Sequence, residues 1–287
     1  MTGGSPLRID IARSLDEVRL ILDWAAAEGW NPGIRDAEAF LAADPEGFLL
    51  GRLDGQPAAA ISLVRYDERF AFLGCYIVRP ELRGQGHGIA IWRAAIERAG
   101  ERTIGLDGVP AQQPNYRRSG FELERRNLRY SGIARDLPDA TSASGGHVDI
   151  ARVPFAALAA YDRTIFPADR GPFLERWVTE AGHQGVAWLD GGAVRGYGVV
   201  RPCRSGWKIG PLSADDAAIA GGIFGALVGR IGGERVSFDV PETNARAVAI
   251  AEAAGLVVDF ETARMYTGRP PGEDRHRVYG VTTFELG

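Results

Sequence analysis

The chain has 287 residues, of which 45% are hydrophobic and 24% are charged, proportions that fit one large or two ordinary globular domains. Its formal net charge of −4 argues against nucleic acid as a partner, because broad nucleic-acid binding needs a basic surface, and it allows a small cationic substrate. Two cysteines and four scattered histidines give neither a disulfide framework nor the ligand spacing of a metal site, so we expect no metal.

The N-terminal segment Met1–Ile9 lacks the apolar core of a signal peptide. No run in the chain approaches the roughly 20 apolar residues of a membrane helix. We therefore expect a cytoplasmic protein that does not bind membranes. We also expect a monomer or a homodimer.

The first half of the chain predicts alternating strands and helices. Ser14, with Glu17 three residues later, gives the capping-box pattern of a helix start. Asp54-Gly55 lies between two apolar runs and predicts the turn of a hairpin. The predicted elements are a strand over Leu7–Ala12, helices over Leu15–Glu28 and Asp36–Ala43, strands over Phe48–Leu53, Ala58–Tyr66 and Phe70–Val78, a helix over Gly86–Ala99, a strand over Thr103–Leu106, a short helix over Asn115–Ser119 and a strand over Phe121–Tyr130.

The segment Arg83–Gly88, which reads Arg-Gly-Gln-Gly-His-Gly, lies between the strand predicted over Phe70–Val78 and the long helix that follows. The N–H groups of a helix's first turn have no intrahelical partner, and the helix dipole favours an anion there. Glycines let the backbone approach that anion, and Arg83 adds a permanent positive charge. The segment therefore predicts a phosphate-binding turn. A dinucleotide-binding fingerprint is disfavoured, because it would need a small residue at Ile89 or Ile91.

Four short sequence segments recur in the same order, each 136 positions after its first occurrence. Asp54, for example, recurs as Asp190. We interpret them as two copies of one fold, over residues 1–135 and 147–287, joined by a turn-rich linker over 136–146. The four matches are Leu53-Asp54-Gly55 with Leu189-Asp190-Gly191, Val64-Arg65 with Val200-Arg201, Gly74 with Gly210, and Tyr130-Ser131-Gly132 with Tyr266-Thr267-Gly268.

The second half predicts the same kinds of element. They are strands over His147–Ala151, Val186–Leu189, Ala193–Val200 and Trp207–Leu212, a helix over Ala214–Ile231, a strand over Arg235–Val240, a helix over Glu242–Ala254 and strands from there to the C-terminus.

This order of elements, with an Arg-x-x-Gly-x-Gly turn after the fourth strand, resembles the GNAT family of acyl-CoA-dependent N-acyltransferases. Arg83, Gly86 and Gly88 match that family's pyrophosphate motif, and Tyr116–Phe121 resembles its Tyr-x-x-x-Gly-Phe helix end. The resemblance implies a layered α/β fold of two tandem GNAT-like domains, each with a mixed, mostly antiparallel central sheet flanked by helices. The first domain would be catalytic, and the second, degenerate domain would complete the acceptor pocket.

The resemblance also implies how acetyl-CoA would bind as co-substrate. The strand edge at Tyr76, Ile77 and Val78 would pair with the pantetheine arm, and the Val78 N–H would polarise the thioester carbonyl. Tyr116 would donate a proton to the leaving thiolate. At Val109, seven residues before that tyrosine, the family often has Asn, so CoA contacts there pass to neighbours such as Asn115. The predicted CoA-binding residues are Tyr76, Ile77, Val78, Arg83, Gly84, Gln85, Gly86, His87, Gly88 and Asn115.

The general base that takes the amine proton is left open between Glu28 and Asp107. The turn that carries Glu28, Trp30 and Asn31 is predicted to wall the acceptor pocket, together with Asp239 of the second copy. Each of these three assignments has a structural alternative. The turn that carries Glu28 is also explained by a helix end closed by Gly29, Asp107 by a turn at Asp107-Gly108, and Asp239 by a helix cap just after it. These alternatives stay open at this point.

Several residues predict structural rather than catalytic roles. Cys75 is expected to be a buried small residue of a central strand, and Lys208, the one lysine of the chain, a surface charge. A spacing of 136 places Ile219–Phe224 at the position of the phosphate turn, and Ala251 or Glu252 at the position of Tyr116. The second copy is therefore predicted to have lost both CoA binding and the acid.

These observations together predict an N-acyltransferase that moves an acetyl or other short acyl group from acyl-CoA to a primary amine of a small molecule by direct attack. Two alternatives remain. One is a CoA-binding sensor without turnover. The other is an acetyltransferase that acts on a protein N-terminus or lysine.

Overall fold

The computed structural model describes residues 6–135, 137 and 144–287, so most of the predicted linker and residues 1–5 lie outside the described residues. Its helices are α1 (Leu15–Ala27), α2 (Asp36–Ala43), α3 (His87–Ala99), α4 (Gln113–Arg118), α5 (Phe155–Asp162), α6 (Gly171–Thr179), α7 (Ala217–Gly229) and α8 (Ala245–Ala253). Its strands are β1 (Arg8–Ile11), β2 (Phe48–Leu53), β3 (Gln56–Arg65), β4 (Phe70–Val78), β5 (Thr103–Gly108), β6 (Phe121–Ile133), β7 (Gly146–Asp149), β8 (Gln184–Asp190), β9 (Ala193–Pro202), β10 (Trp207–Ala214), β11 (Arg235–Pro241), β12 (Val257–Thr267) and β13 (Val278–Gly280).

The described strands join in one sheet, in the order β1-β2-β3-β4-β5-β12-β6-β11-β10-β9-β8-β7, with β13 paired to β10. Two of these pairings, β4 with β5 and β10 with β11, are parallel, and the rest are antiparallel. The predicted α/β class with a mixed, mostly antiparallel sheet flanked by helices is therefore confirmed.

The two halves of the chain exchange their last strands. β12, from the second half, pairs with β5 of the first half, and β6, from the first half, pairs with β11 of the second. β6 and β12 also pair with each other along most of their length. Each half-sheet is thus completed by the other half, which the sequence analysis did not foresee. The predicted domain ranges separate two stretches of sequence whose strands interleave in space.

Side chains also join the two halves. Phe40 of α2 stacks on Trp177 of α6, with ring centroids 6.3 Å apart, inside a core that draws on both halves. Asp36 and Arg201 form a fully buried ion pair across the same boundary, with Nε and Oδ1 2.9 Å apart. Apolar packing and buried charge therefore fix the halves against each other.

The C-terminal segment 281–287 forms no strand, contrary to the prediction of strands to the end of the chain. After β13, the Val281 N–H donates to the carbonyl of Asp239 in β11 at 2.8 Å, so this tail bridges the parallel strands β10 and β11. A Cβ at Gly210 would collide with the tail at Thr282, and one at Gly74 would collide with it at Glu285. Contact with one tail explains why glycine recurs at these two positions.

Candidate active site

The parallel strands β4 and β5 separate partway along their length. Their pairing ends at Leu73 and Leu106, and the next residues of β4 form a bulge in which Cys75 has a φ of +47°. Beyond the bulge, the Arg79 N–H donates to the Ala58 carbonyl on the β3 side at 3.0 Å. Because neighbouring N–H groups of a strand point to opposite edges, the Val78 N–H points to the open edge.

A groove with about 1530 Å³ of empty space runs along this open edge and past the start of α3. Gly84 and Gly86 line it with φ values of +76° and +88°, which favour glycine, and no atom lies within 4 Å of a Cβ built on either one. The turn therefore presents bare backbone to the groove. The residues that line the groove are Glu28, Trp30, Tyr76, Ile77, Val78, Arg83, Gly84, Gly86, Gly88, Ile89, Val109, Ala111, Gln112, Tyr116 and Phe260.

Arg83 spans the mouth of the groove. Its Nε donates to the Val78 carbonyl at 2.9 Å, and its Nη2 pairs with the Glu28 carboxylate. This arrangement places a permanent cation beside the glycine turn and places Glu28 next to that cation. Gln85 and His87, which were predicted from sequence to bind CoA, are not among the residues that line the groove.

Gly88 serves close packing. A Cβ there would lie 2.6 Å from the Tyr76 hydroxyl, so a larger residue in the first turn of α3 would displace the Tyr76 side chain of β4. Asn115, in contrast, does not line the groove. Its amide donates to Gln112 Oε1 at 2.6 Å and accepts a hydrogen bond from Arg118, and it is Gln112 that lines the groove.

A second cavity, with about 480 Å³ of empty space, adjoins the groove between β4 and β5. The two share five lining residues: Trp30, Tyr76, Val109, Tyr116 and Phe260. The remaining residues of the cavity are Leu73, Gly74, Cys75, Leu106, Asp107, Thr262, Phe284 and Glu285.

Tyr116 lies where the groove meets the cavity. Its ring stacks on Trp92 with centroids 5.6 Å apart, and a Cβ at Gly108 would lie 2.6 Å from it. Burial raises the pKa of the Tyr116 phenol well above its ordinary value. The phenol therefore keeps its proton at neutral pH, as a proton donor must.

Four residues of the cavity wall come from the second half of the chain. Phe260 and Thr262 arrive on the exchanged strand β12, and Phe284 and Glu285 on the C-terminal tail. The Thr262 hydroxyl is buried and has no hydrogen-bond partner among the described residues. Sequence reasoning missed all four, because no short motif marks a strand that crosses to the other half.

Asp107 lines the cavity but is held by a permanent cation. Its Oδ1 and Oδ2 accept from Arg264 Nε and Nη2 at 2.9 and 2.7 Å, and Oδ1 also accepts from Asn127 at 2.8 Å. The buried ion pair with Arg264 ties β5 to β12. These contacts favour a structural role for Asp107 over the role of general base expected from sequence.

Asp239 and Asn31, expected from sequence to bind the acceptor, line neither the groove nor the cavity. The buried Asp239 makes a two-pronged ion pair with Arg129, at 2.6 and 2.8 Å, which holds the Asp239 pKa below its ordinary value despite burial. The Asn31 side chain exchanges two hydrogen bonds with the backbone of Ser205, at 3.0 and 2.9 Å. Both residues join the halves of the chain.

Lys208 is 2% exposed, so the expectation of a surface charge was wrong. Its Nζ donates to the carbonyls of Asn31 and Trp30 at 2.8 and 3.4 Å. Burial lowers the pKa of Lys208, and the neighbouring Arg129 lowers it further. These bonds fix the turn that presents the Trp30 side chain to the cavity.

The second half lacks the glycine turn. Eight residues separate β4 from α3, but only two separate β10 from α7, so Ile219–Phe224 lie inside α7 rather than in a turn. The spacing of 136 fails over this segment, which corrects the alignment made from sequence. The start of α7 already holds a carboxylate, since Asp216 accepts from the Ile219 N–H at 2.9 Å. In the second half, the tail bridges the separation between β10 and β11.

Two models of known families match the chain. One, described as the acetyltransferase (GNAT) family, matches residues 15–121, and the other, described as an acetyltransferase (GNAT) domain, matches residues 158–280. The holothin acyltransferase of Pseudoalteromonas sp. (strain SANK 73390) is 30% identical over 275 residues, which cover 96% of this chain and 92% of that protein. The chain belongs to the GNAT acetyltransferase family.

Solved structures agree on the fold of this GNAT protein. A candidate acetyltransferase of Pyrococcus horikoshii superposes with a TM-score of 0.82 at 24% identity, over 100% of this chain and 97% of that one. A tandem GNAT protein from the clavulanic acid biosynthesis pathway gives 0.63 at 16% identity, over 92% and 100%. The tandem GNAT architecture implied by the internal repeat is thus confirmed.

Two searches of the described residues bear on other kinds of site. No helix there is both long and apolar enough to cross a membrane. Within the same residues, no group of three or more His, Cys, Asp and Glu side chains is placed to hold a metal ion.

Proposed function

We propose that this protein transfers an acetyl or another short acyl group from acyl-CoA to a primary amine of a small molecule by direct attack. The observation that carries the proposal is the meeting of two spaces at Tyr116: a groove with a glycine turn and a cavity walled by both halves. The holothin acyltransferase similarity supports acyl transfer in particular.

The groove fits acetyl-CoA as co-substrate. Arg83 and the bare backbone of the turn offer charge and N–H groups to a pyrophosphate at the start of α3. The open edge of β4 beyond the bulge offers backbone groups to the pantetheine arm, as an added strand would find them. An extended thioester lying on this edge has its acyl group directed toward Tyr116 and the cavity.

The chemistry then follows from the groups at the junction. A neutral amine in the cavity attacks the thioester carbonyl, and the Val78 N–H stabilises the negative charge that develops on oxygen. Tyr116, which burial keeps protonated, donates a proton to the departing sulfur. Holding both substrates in one orientation contributes much of the rate enhancement.

The cavity favours a small acceptor. Its lining combines aromatic and aliphatic side chains with a few polar groups, as small-molecule sites commonly do. Trp30, Phe260 and Phe284 give it aromatic walls, and the exchanged strand and tail of the second half form part of its lining. A compact, largely apolar molecule that carries one amine fits this lining.

The direct test is release of free CoA from acetyl-CoA in the presence of a panel of small primary amines, peptides with free N-termini and a lysine-containing peptide. We expect release that depends on a small amine, with the acylated amine identified by mass spectrometry. Binding of acetyl-CoA without release for any acceptor would instead indicate a sensor. Release with peptides alone would indicate a protein acetyltransferase.

Arg83→Gln is expected to raise the Kd for CoA about tenfold, because a hydrogen bond to a charged group contributes about 1.5–3 kcal/mol and each 1.4 kcal/mol is a factor of ten. Calorimetric titration of the variant checks this value. Arg79→Gln is the matched control, since Arg79 is a half-exposed arginine that pairs with Glu81 outside the groove. Equal affinities for the two variants would contradict the role of Arg83.

A further inference from the structure

Glu285 is an unpaired acid in the cavity wall. It is 3% exposed, and its backbone packs against Gly74 of β4, next to the bulge. Its carboxyl group makes no hydrogen bond or ion pair with any other described residue, in contrast to Asp107, whose two oxygens are held by Arg264. Glu285 is one of the residues that line the cavity, and a buried carboxyl group without a partner among the described residues is available to a ligand.

The charges around Glu285 come from several elements. Arg201 of β9 pairs with Asp36 of α2, and Arg129 of β6 pairs with Asp239 of β11. Lys208 of β10 is the remaining cation of this cluster, bonded to two backbone carbonyls rather than to a carboxylate. Lys208 and Glu285 are therefore the two charged residues of this cluster that form no ion pair among the described residues. The Cys75 thiol of β4 stays protonated, because burial and Glu285 both raise its pKa.

We propose that Glu285 is the catalytic base that takes the proton of the acceptor amine, and that Lys208, which holds the Trp30 turn beside the same cavity, is a positioning residue for this base. The assignment rests on the proposed amine acyltransfer. It replaces Glu28, which pairs with Arg83, and Asp107, which pairs with Arg264, as the source of the base. Thr262, whose buried hydroxyl is unpartnered, offers the amine a second hydrogen bond in the same wall.

The step balances as follows. The amine nitrogen forms a bond to the thioester carbonyl carbon, and one N–H proton passes to the Glu285 carboxylate. The C–S bond breaks with its electron pair on sulfur, which takes the phenolic proton of Tyr116. The proton on Glu285 then returns through water to the Tyr116 oxygen, so amide and free thiol are the net products.

The electrostatic environment suits this role. Burial raises the pKa of Glu285, with Asp36 acting in the same direction, while Lys208, Arg129 and Arg201 lower it. A base whose pKa is moved toward the working pH accepts a proton more effectively than an ordinary glutamate. Since Lys208 lowers the pKa, removing its charge is expected to raise it.

Glu285→Gln tests the base. Acyl transfer is measured as CoA release with the best amine of the panel, whose own pKa is titrated separately, across the pH range in which the protein stays folded. We expect kcat to fall by about 10²-fold or more. We also expect the pH profile of kcat to lose its acidic limb, which in the wild type follows the ionisation of Glu285. Glu273→Gln is the matched control, because Glu273 is a buried carboxylate paired with Arg125 that lines neither the groove nor the cavity. Thermal unfolding and the Kd for CoA are measured for every variant.

Lys208→Met tests the positioning role. The acidic limb of kcat should move to higher pH, because loss of the nearby cation favours the neutral form of Glu285. In a Glu285→Gln background, Lys208→Met should leave the pH profile of kcat unchanged. A merely structural role for Lys208 would not predict this difference between the two backgrounds.

The outcomes separate the two proposals. A wild-type protein that releases no CoA with any amine contradicts the acyltransferase function and with it this assignment. An active wild type combined with a folded, CoA-binding Glu285→Gln variant that keeps the rate and the acidic limb contradicts the role of Glu285 alone. A pH shift from Lys208→Met that persists without Glu285 contradicts the role of Lys208.

Discussion

Tyr116→Phe is expected to lower kcat for acyl transfer by about 10²–10⁴-fold, the usual contribution of a single general acid. The substitution keeps the ring that stacks on Trp92 and packs against Gly108, and it removes only the hydroxyl. The affinity for CoA should therefore change little. Because burial raises the Tyr116 pKa, the wild-type phenol is protonated at every pH near neutrality, and the factor lost should be constant between about pH 6 and 9.

CoA release at saturating acetyl-CoA and amine gives this comparison. Tyr130→Phe is the control, since Tyr130 is a buried tyrosine in the core of the second half, away from the groove and the cavity. An acyl donor with a more acidic thiol needs less proton donation, so Tyr116→Phe should lose less of its rate with that donor. An unchanged kcat for Tyr116→Phe would remove this tyrosine from the mechanism.

Asp239→Ala is expected to lower the free energy of unfolding by about 3–5 kcal/mol, because it leaves the buried guanidinium of Arg129 without its carboxylate. Arg129 lies on the exchanged strand β6, and its Nη1 also donates to the Trp30 carbonyl at 2.9 Å. The pair thus joins the strand exchange to the turn that walls the cavity. The loss should appear in one cooperative transition, because the halves share a sheet.

Denaturant unfolding measures this change. Asp259→Ala is the matched control: it removes a carboxylate from the solvent-accessible pair with Arg235, a class of pair that contributes about 0–1 kcal/mol. Two separate transitions, or equal small losses for the two variants, would contradict the account of one interlocked unit.

Local patterns predicted much of this protein. The capping box of Ser14 and Glu17 is present in α1, and the glycine turn of Arg83–Gly88 leads into α3. Tyr116 lies beside the groove that this turn lines. Each of these features depends on residues close in the sequence, where helix capping and turn conformation decide the structure.

Other features depend on partners far away in the chain. The residues of β12 indicate a strand, but not which strand lies beside it, so the pairing of β12 with β5 was not predictable from the pattern. The same limit applies to Asp107 and Arg264, which are 157 positions apart, and to Asp239 and Arg129, which are 110 apart. Lys208 was misassigned because its partners are backbone carbonyls, which sequence patterns do not mark.

The repeat itself was both informative and misleading. It identified two copies of one fold correctly, and Gly74 and Gly210 share a physical cause in their contact with the C-terminal tail. It failed between β10 and α7, where the turn is six residues shorter than in the first half. The second half therefore lacks the turn itself, rather than keeping it with altered side chains.

We expect one of the two homologous halves to hold acyl-CoA and the other to have lost its site. Calorimetric titration of the full chain with acetyl-CoA tests this expectation, with Arg83→Gln and Asp216→Ala measured beside the wild type. We predict one molecule bound per chain, about tenfold weaker binding for Arg83→Gln, and unchanged binding for Asp216→Ala at the start of α7. Two molecules per chain, no binding, or an affinity that depends on Asp216 rather than Arg83 would contradict the account.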